Sequence, residues 1–192
     1  MATLPVGFRS ASAEPIRLPD GLVARIPKAL LTLPRWRGAP FTTSGASWQT
    51  KPLVAVSGQP MFAELAVWAL LATVGWETRW VEAYGVGSEP LYLTEWQDAP
   101  LAAQNTVPIA AFAVRTRLAA NAAANAAAIA KVSYAGCWDV LAWDDGPHLL
   151  FVEVKRTGRD QLQPTQAAWL EAAFRCGLTT QNFLLVEWDF PR

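Results

Sequence analysis

Asp139, Glu153 and Lys155 are the residues whose types and spacing suit phosphoryl chemistry. Glu153 and Lys155 lie two apart in a β-favouring run, Leu149–Arg156, so on a strand they share one face with Leu149 and Phe151. A second such run, Trp138–Trp143, precedes it, and the Asp-Gly signal within the segment Asp144 to His148 predicts a hairpin. If Trp143 faces Leu149 across that turn, Asp139 falls opposite Glu153. Opposed residues on antiparallel strands have Cβ atoms roughly 4.5–5.5 Å apart, and two carboxylates there repel unless a cation lies between them. Mg²⁺ suits the position, because it takes oxygen ligands, is commonly held by one or two carboxylates, and keeps water and phosphate in its remaining positions. Lys155 reaches the same place, where it can orient or deprotonate a water, or offset charge that develops on a phosphoryl group. A Glu-x-Lys triplet alone is a weak signal; the hairpin and the facing Asp139 give it content, and a one-residue slip would carry Asp139 to the other face.

Several elements must position these residues. Phe62, Leu65, Ala66, Trp68, Ala69, Leu70 and Ala72 recur at helical spacing between Pro60 and Gly75 and predict a helix. The runs Thr78–Tyr84 and Leu91–Trp96 predict one or two strands, separated by Gly85, Gly87 and Pro90. Residues 109–131 are dominated by alanine and read as a long helix with Asn121 and Asn125 on one face. After the hairpin, Pro164 opens a helix that Gly177 closes, and Phe183–Trp188 returns as a strand, an order that implies a parallel crossover. Seven of the fourteen prolines fall in residues 1–52. That density predicts an extended Pro/Arg-rich arm over 1–59 without long regular elements, ahead of a domain over 60–192.

The chain has 192 residues, 52% of them hydrophobic, which is enough for one substantial core. Its formal net charge is zero, so any polyanion contact must be local. Residues 1–52 hold seven Arg or Lys against two acids, whereas residues 60–110 hold six acids against Arg79 alone. Two cysteines, Cys137 and Cys176, make neither a disulfide framework nor a zinc quartet and fit a reducing, cytoplasmic setting. No secretory leader pattern is visible, and the apolar stretch Met61–Trp76 is shorter than a bilayer span and carries Glu64, so no membrane association is expected. The ten tryptophans serve packing first and base stacking second.

The segment Gly136-Cys137-Trp138-Asp139, the hairpin, and Phe151-Val152-Glu153-Val154-Lys155 together resemble the signature of the PD-(D/E)XK nucleases. The continuation Gly158-Arg159-Asp160-Gln161-Leu162-Gln163-Pro164-Thr165-Gln166-Ala167-Ala168-Trp169-Leu170 looks like the VRR-NUC branch, in which a polar turn leads into a helix beginning Pro-x-Gln and bearing Trp-Leu. The match spans about residues 133–188 and departs from the family at Trp138, where a proline is usual. The resemblance implies an α/β, restriction-endonuclease-like core of order α-β-β-β-α-β, a mixed sheet flanked by helices. The extended N-terminal arm and an inserted Ala-rich helix would be additions to it. It further implies Mg²⁺ or Mn²⁺ held by Asp139, Glu153 and the Val154 carbonyl, Lys155 as the catalytic cation, Gln166 beside the site, and Glu64 as the candidate that completes the metal shell. Lys131, Arg156 and Arg159 are the nearest basic residues in sequence and suit backbone phosphates of DNA, or ordinary surface charge.

His148 falls in the hairpin turn, which disfavours histidine-dependent nucleases and Ser-His-Asp hydrolases. There is no Gly-x-x-x-x-Gly-Lys loop, and Gly85-Val86-Gly87-Ser88 reads as a turn. The expectation is a metal-dependent deoxyribonuclease. The alternatives are a catalytically inactive nuclease fold that binds nucleic acid or a protein, and an interaction protein in which the triplet is coincidental. A homodimer is one expectation for cleavage of both strands, although no residue marks a dimer face.

Overall fold

The computed structural model describes residues 5–39, 41, 51–82, 91–93, 136–144, 148–175 and 177–192. The Ala-rich stretch 109–131, Lys131, the Gly85–Ser88 turn and Cys176 lie outside the described residues.

The chain is α/β, with a mixed seven-stranded sheet in the order β1-β2-β9-β8-β7-β5-β6. Its strands are β1 (Arg9–Arg17), β2 (Val23–Thr32), β5 (Glu77–Glu82), β6 (Leu91–Leu93), β7 (Val140–Trp143), β8 (Leu149–Arg156) and β9 (Phe183–Asp189). A small separate hairpin is made by β3 (Val54–Val56) and β4 (Gln59–Met61). The three strands β2, β9 and β8 run parallel to one another, and the remaining pairs are antiparallel. From residue 63 onward the described elements run helix, β5, β6, β7, β8, helix, β9.

Among the described residues, each face of the sheet carries one helix. Helix α1 (Ala63–Ala72) sets Ala63, Ala66, Val67 and Leu71 against Val140, Val152, Val154 and Val186. Helix α2 (Pro164–Arg175) sets Trp169, Leu170 and Ala173 against Leu141, Phe151 and Phe183. Because both faces are covered, β8 and β9 read as near-continuous apolar runs rather than as alternating ones. Phe151 and Phe183 stack with ring centroids 5.4 Å apart, and Trp169 meets Phe151 edge-on at 4.8 Å.

The N-terminal segment corrects the expectation of an arm without regular structure. Residues 9–32 form an antiparallel hairpin, and β2 joins the main sheet through Lys28–Thr32 beside Leu185–Asp189. The prolines fit because of where they fall. Pro15 lies on β1, the edge strand. Pro27 lies opposite a β-bulge between Ala11 and Glu14, and the pairing of β2 with β9 begins one residue later at Lys28. A missing N–H at a bulge costs the ladder little. At the hairpin turn, Gly21 takes φ +88° while the Asp20 carboxylate accepts the Leu22 N–H at 2.9 Å.

Candidate active site

The observed register of the β7–β8 hairpin pairs Trp143 with Leu149 and Val140 with Val152, as the alternation of its residues predicts. Asp139 immediately precedes β7 in the same register and therefore meets Glu153. The Val154 N–H donates to Asp139 Oδ2 at 2.9 Å, which anchors the carboxylate to the opposite strand. A residue on an extended strand sends its N–H and C=O to the same side, so the Val154 carbonyl leaves toward Asp139, past the start of β7.

Glu153 is almost fully buried, at 1% exposure. Its Oε1 accepts from the Lys155 ammonium at 2.7 Å and from the Gln166 amide. Its Oε2 is buried and meets no N–H donor. Gln166 is oriented by the physics of a helix start. Pro164 occupies the first turn, and the Gln166 side-chain oxygen reaches back to accept the Gln163 N–H at 2.8 Å, as in one half of a capping box. Both ends of the amide are thus engaged, and its NH₂ is held toward Glu153.

Gly136, named only as part of the motif, turns out to be the residue that lets this constellation close. It has φ +95°, and a Cβ there would lie 2.4 Å from the Thr165 carbonyl carbon and oxygen. Only glycine allows the strand entry to touch the first turn of α2, and that contact brings Asp139 and Gln166 to one place. Trp138 is fully buried and packs edge-on against Phe183 at 4.9 Å, so at this position the chain uses a core anchor.

The electrostatics follow from burial and from like charge. Desolvation, then the Glu153 and Glu64 carboxylates, push the Asp139 carboxyl well above its ordinary range. Burial also raises Glu153, although Lys155, Gln166 and a hydrogen bond shared with the Asp139 carboxyl pull the other way. For Lys155, burial pulls the pKa down, but the neighbouring Glu153 and Asp139 carboxylates outweigh it and the result lies above the ordinary value. The ammonium therefore stays charged at neutral pH, which suits charge stabilisation better than proton abstraction. Burial and the two carboxylates raise the Cys137 thiol, which leaves it protonated and unreactive.

A divalent cation fits this donor set. Two buried carboxyls that meet directly, sharing a hydrogen bond only while one of them is protonated, are a charge arrangement that a cation relieves. Glu64 is in the first turn of α1 at the same end of the sheet and shares with Val154 the lining of a pocket of about 300 Å³. Its carboxylate is bound by Lys51 at 2.9 Å, however. Among the described residues, no three His, Cys, Asp or Glu side chains are gathered closely enough to hold a metal ion. Lys51, which the sequence did not single out, occupies that place; its position far ahead of the motif left no signal to find it.

Arg156 and Arg159 line the same pocket as Glu64 and Lys51. Arg156 pairs with Asp189 at 3.3 Å, and its guanidinium lies over the Phe190 ring at 4.9 Å. The Asp160 carboxylate accepts the Arg156 N–H at 3.0 Å and closes the turn at Gly158. His148 is at the opposite end of the hairpin, exposed and bonded to Asp144 at 2.6 Å, as expected of a loop residue.

Asp139, Glu153, Lys155 and Gln166 thus form a carboxylate–lysine centre at the end of the sheet where the parallel strands finish, the usual place for ligands in open α/β sheets. No protein-family model matches the chain, and no curated protein or solved structure shows significant similarity to it. Among the described residues, no helix is long and apolar enough to cross a membrane.

Proposed function

We propose that this chain is a Mg²⁺- or Mn²⁺-dependent nuclease with a restriction-endonuclease-like core that hydrolyses DNA phosphodiester bonds. The observation that carries the proposal is the buried meeting of the Asp139 and Glu153 carboxyls, with the Lys155 ammonium 2.7 Å from one Glu153 oxygen. Asp139, Glu153 and the Val154 carbonyl would hold the metal, which would supply a Lewis acid and lower the pKa of a bound water. The chain's own groups do the rest. Lys155 offers a fixed positive charge to the phosphoryl oxygens as charge builds on them. Gln166 holds Glu153 in one rotamer, the Val154 N–H holds Asp139, and Arg156 and Arg159 meet flanking phosphates.

A second reading, a nuclease fold that binds nucleic acid or protein without cutting, draws support from the Lys51–Glu64 pair, which occupies the acid that would complete a metal shell. Cleavage of supercoiled, linear, branched and single-stranded DNA with Mg²⁺ or Mn²⁺ separates the two. The nuclease reading expects metal-dependent cutting that falls by about 10²-fold or more in Asp139→Ala and in Lys155→Ala. No cutting together with no metal binding by calorimetry would leave the second reading.

A further inference from the structure

Beside Lys155, on the α2 side of the sheet, lies a groove of about 760 Å³. It is walled by residues 14–19 of the N-terminal hairpin, by the turn over 160–164 that leads into α2, and by Leu185 and Glu187 of β9. The volume is within the roughly 300–1,000 Å³ of sites that enclose a small organic group. Lys155 and Arg156 are consecutive on β8 and therefore point to opposite faces. Lys155 lines this groove, whereas Arg156 lines the 300 Å³ pocket on the α1 side.

The two pockets differ in charge balance. The α1-side pocket holds Lys51, Arg156 and Arg159 against two acids and suits phosphates. The groove presents three carboxylates, Glu14, Asp160 and Glu187, against the two cations Arg17 and Lys155, over an apolar floor that includes Leu162, Ala167 and Leu185. Lys28 is taken up by Glu14 at 2.8 Å and by Glu187 at 3.4 Å, through one oxygen of each. With more acids than cations, such a lining favours a phosphate less than the α1-side pocket does. It suits a flat, neutral ring that carries amino groups, because carboxylates accept hydrogen bonds from exocyclic N–H₂, as they do from cytosine N4. Gln161 and Gln163 at the same wall add amide donors and acceptors.

Resting on the nuclease reading above, we propose that this groove receives an unpaired, amino-bearing nucleobase next to the phosphate at the centre. The preferred substrate is then a nucleic acid with an unstacked nucleotide at the cleavage point. A base inside a duplex cannot enter a concave pocket unless it is extruded, at a cost of a few kcal/mol that a single-stranded or mismatched nucleotide largely avoids. The N-terminal hairpin thereby becomes a wall of the substrate site.

The test is fluorescence anisotropy in EDTA, where metal-dependent cleavage is arrested, with single-stranded oligocytidine DNA and the same oligomer bearing abasic sites. The wild-type protein should bind the base-bearing strand about tenfold more tightly, the effect of one well-placed base contact. Ala167→Leu, which narrows the groove from a half-buried helix position, should erase that preference, and Gln163→Ala, at an exposed position, should weaken it. Arg156→Ala should lower affinity for both strands alike. Equal binding of the two strands by the wild type, or a preference that survives Ala167→Leu, would overturn the proposal. If DNA is cut but no base preference exists, the groove proposal fails and the nuclease stands. A base preference without any cutting has the reverse meaning.

Discussion

Without a cation, Asp139 and Glu153 are two buried acids that resist ionising together, and the cost appears in the folded state. Both carboxyls are raised above their ordinary values, so the folded protein binds protons more tightly than the unfolded chain does. Their contribution to metal-free stability is therefore fully present below the unfolded carboxyl pKa, near 4, and is lost as pH rises through the higher folded values. Asp139→Asn keeps an oxygen for the Val154 N–H and removes one charge. It should make the metal-free protein more stable at pH 7 by on the order of 1 kcal/mol, with the gain shrinking toward pH 4. Added Mg²⁺ should raise the Tm of the wild type and leave that of Asp139→Asn unmoved. Thermal melts from pH 4 to 8, with and without Mg²⁺, check both; a wild type that is more stable than the variant at pH 7 without metal would contradict the electrostatic account.

At the scale of elements, the approach of residue 136 to the first turn of α2 governs whether the centre assembles. Gly136→Ala introduces a Cβ 2.4 Å from Thr165 backbone atoms in a backbone region that L residues avoid. We expect a loss of about 2–4 kcal/mol in urea unfolding, together with loss of metal affinity as Gln166 is displaced from Glu153. Gly158→Ala is the control. It also has positive φ, +66°, but meets nothing within 4 Å, so it should cost only about 1–2 kcal/mol and leave metal binding intact. Equal losses in the two variants would show that backbone strain, rather than the contact with α2, is what matters at Gly136.

At the scale of the whole molecule, the N-terminal hairpin is part of the core. Ile16, Leu18, Ala24, Ile26, Ala29 and Leu31 are all buried, and β2 covers the edge of β9. At about 1.5–3 kcal/mol for each buried large aliphatic side chain, their burial is comparable with the entire stability of a typical domain. Removal of residues 1–32 should give a protein that does not fold cooperatively, as read by near-ultraviolet circular dichroism and binding of a hydrophobic dye. A truncated chain with a sharp unfolding transition would show instead that these residues are an appendage.

The parts of this protein that were legible in its sequence are those governed by neighbours along the chain. The β7–β8 register followed from two-residue alternation and a turn signal, and with it the meeting of Asp139 and Glu153. The limits of α2 followed from Pro164 and Gly177, and the parallel return of β9 from a strand-helix-strand order. What only the tertiary structure decided depends on segments distant in sequence. A proline at a bulge reads the same as a proline in a loop until the partner strand is known, so Pro27 concealed β2. The contact of Gly136 with Thr165, the capture of Glu64 by Lys51, and the pairing of β2 with β9 each join residues whose proximity no local period encodes. The groove beside Lys155 belongs with them, because its walls come from residues near 16, 162 and 186 that only the folded sheet brings together.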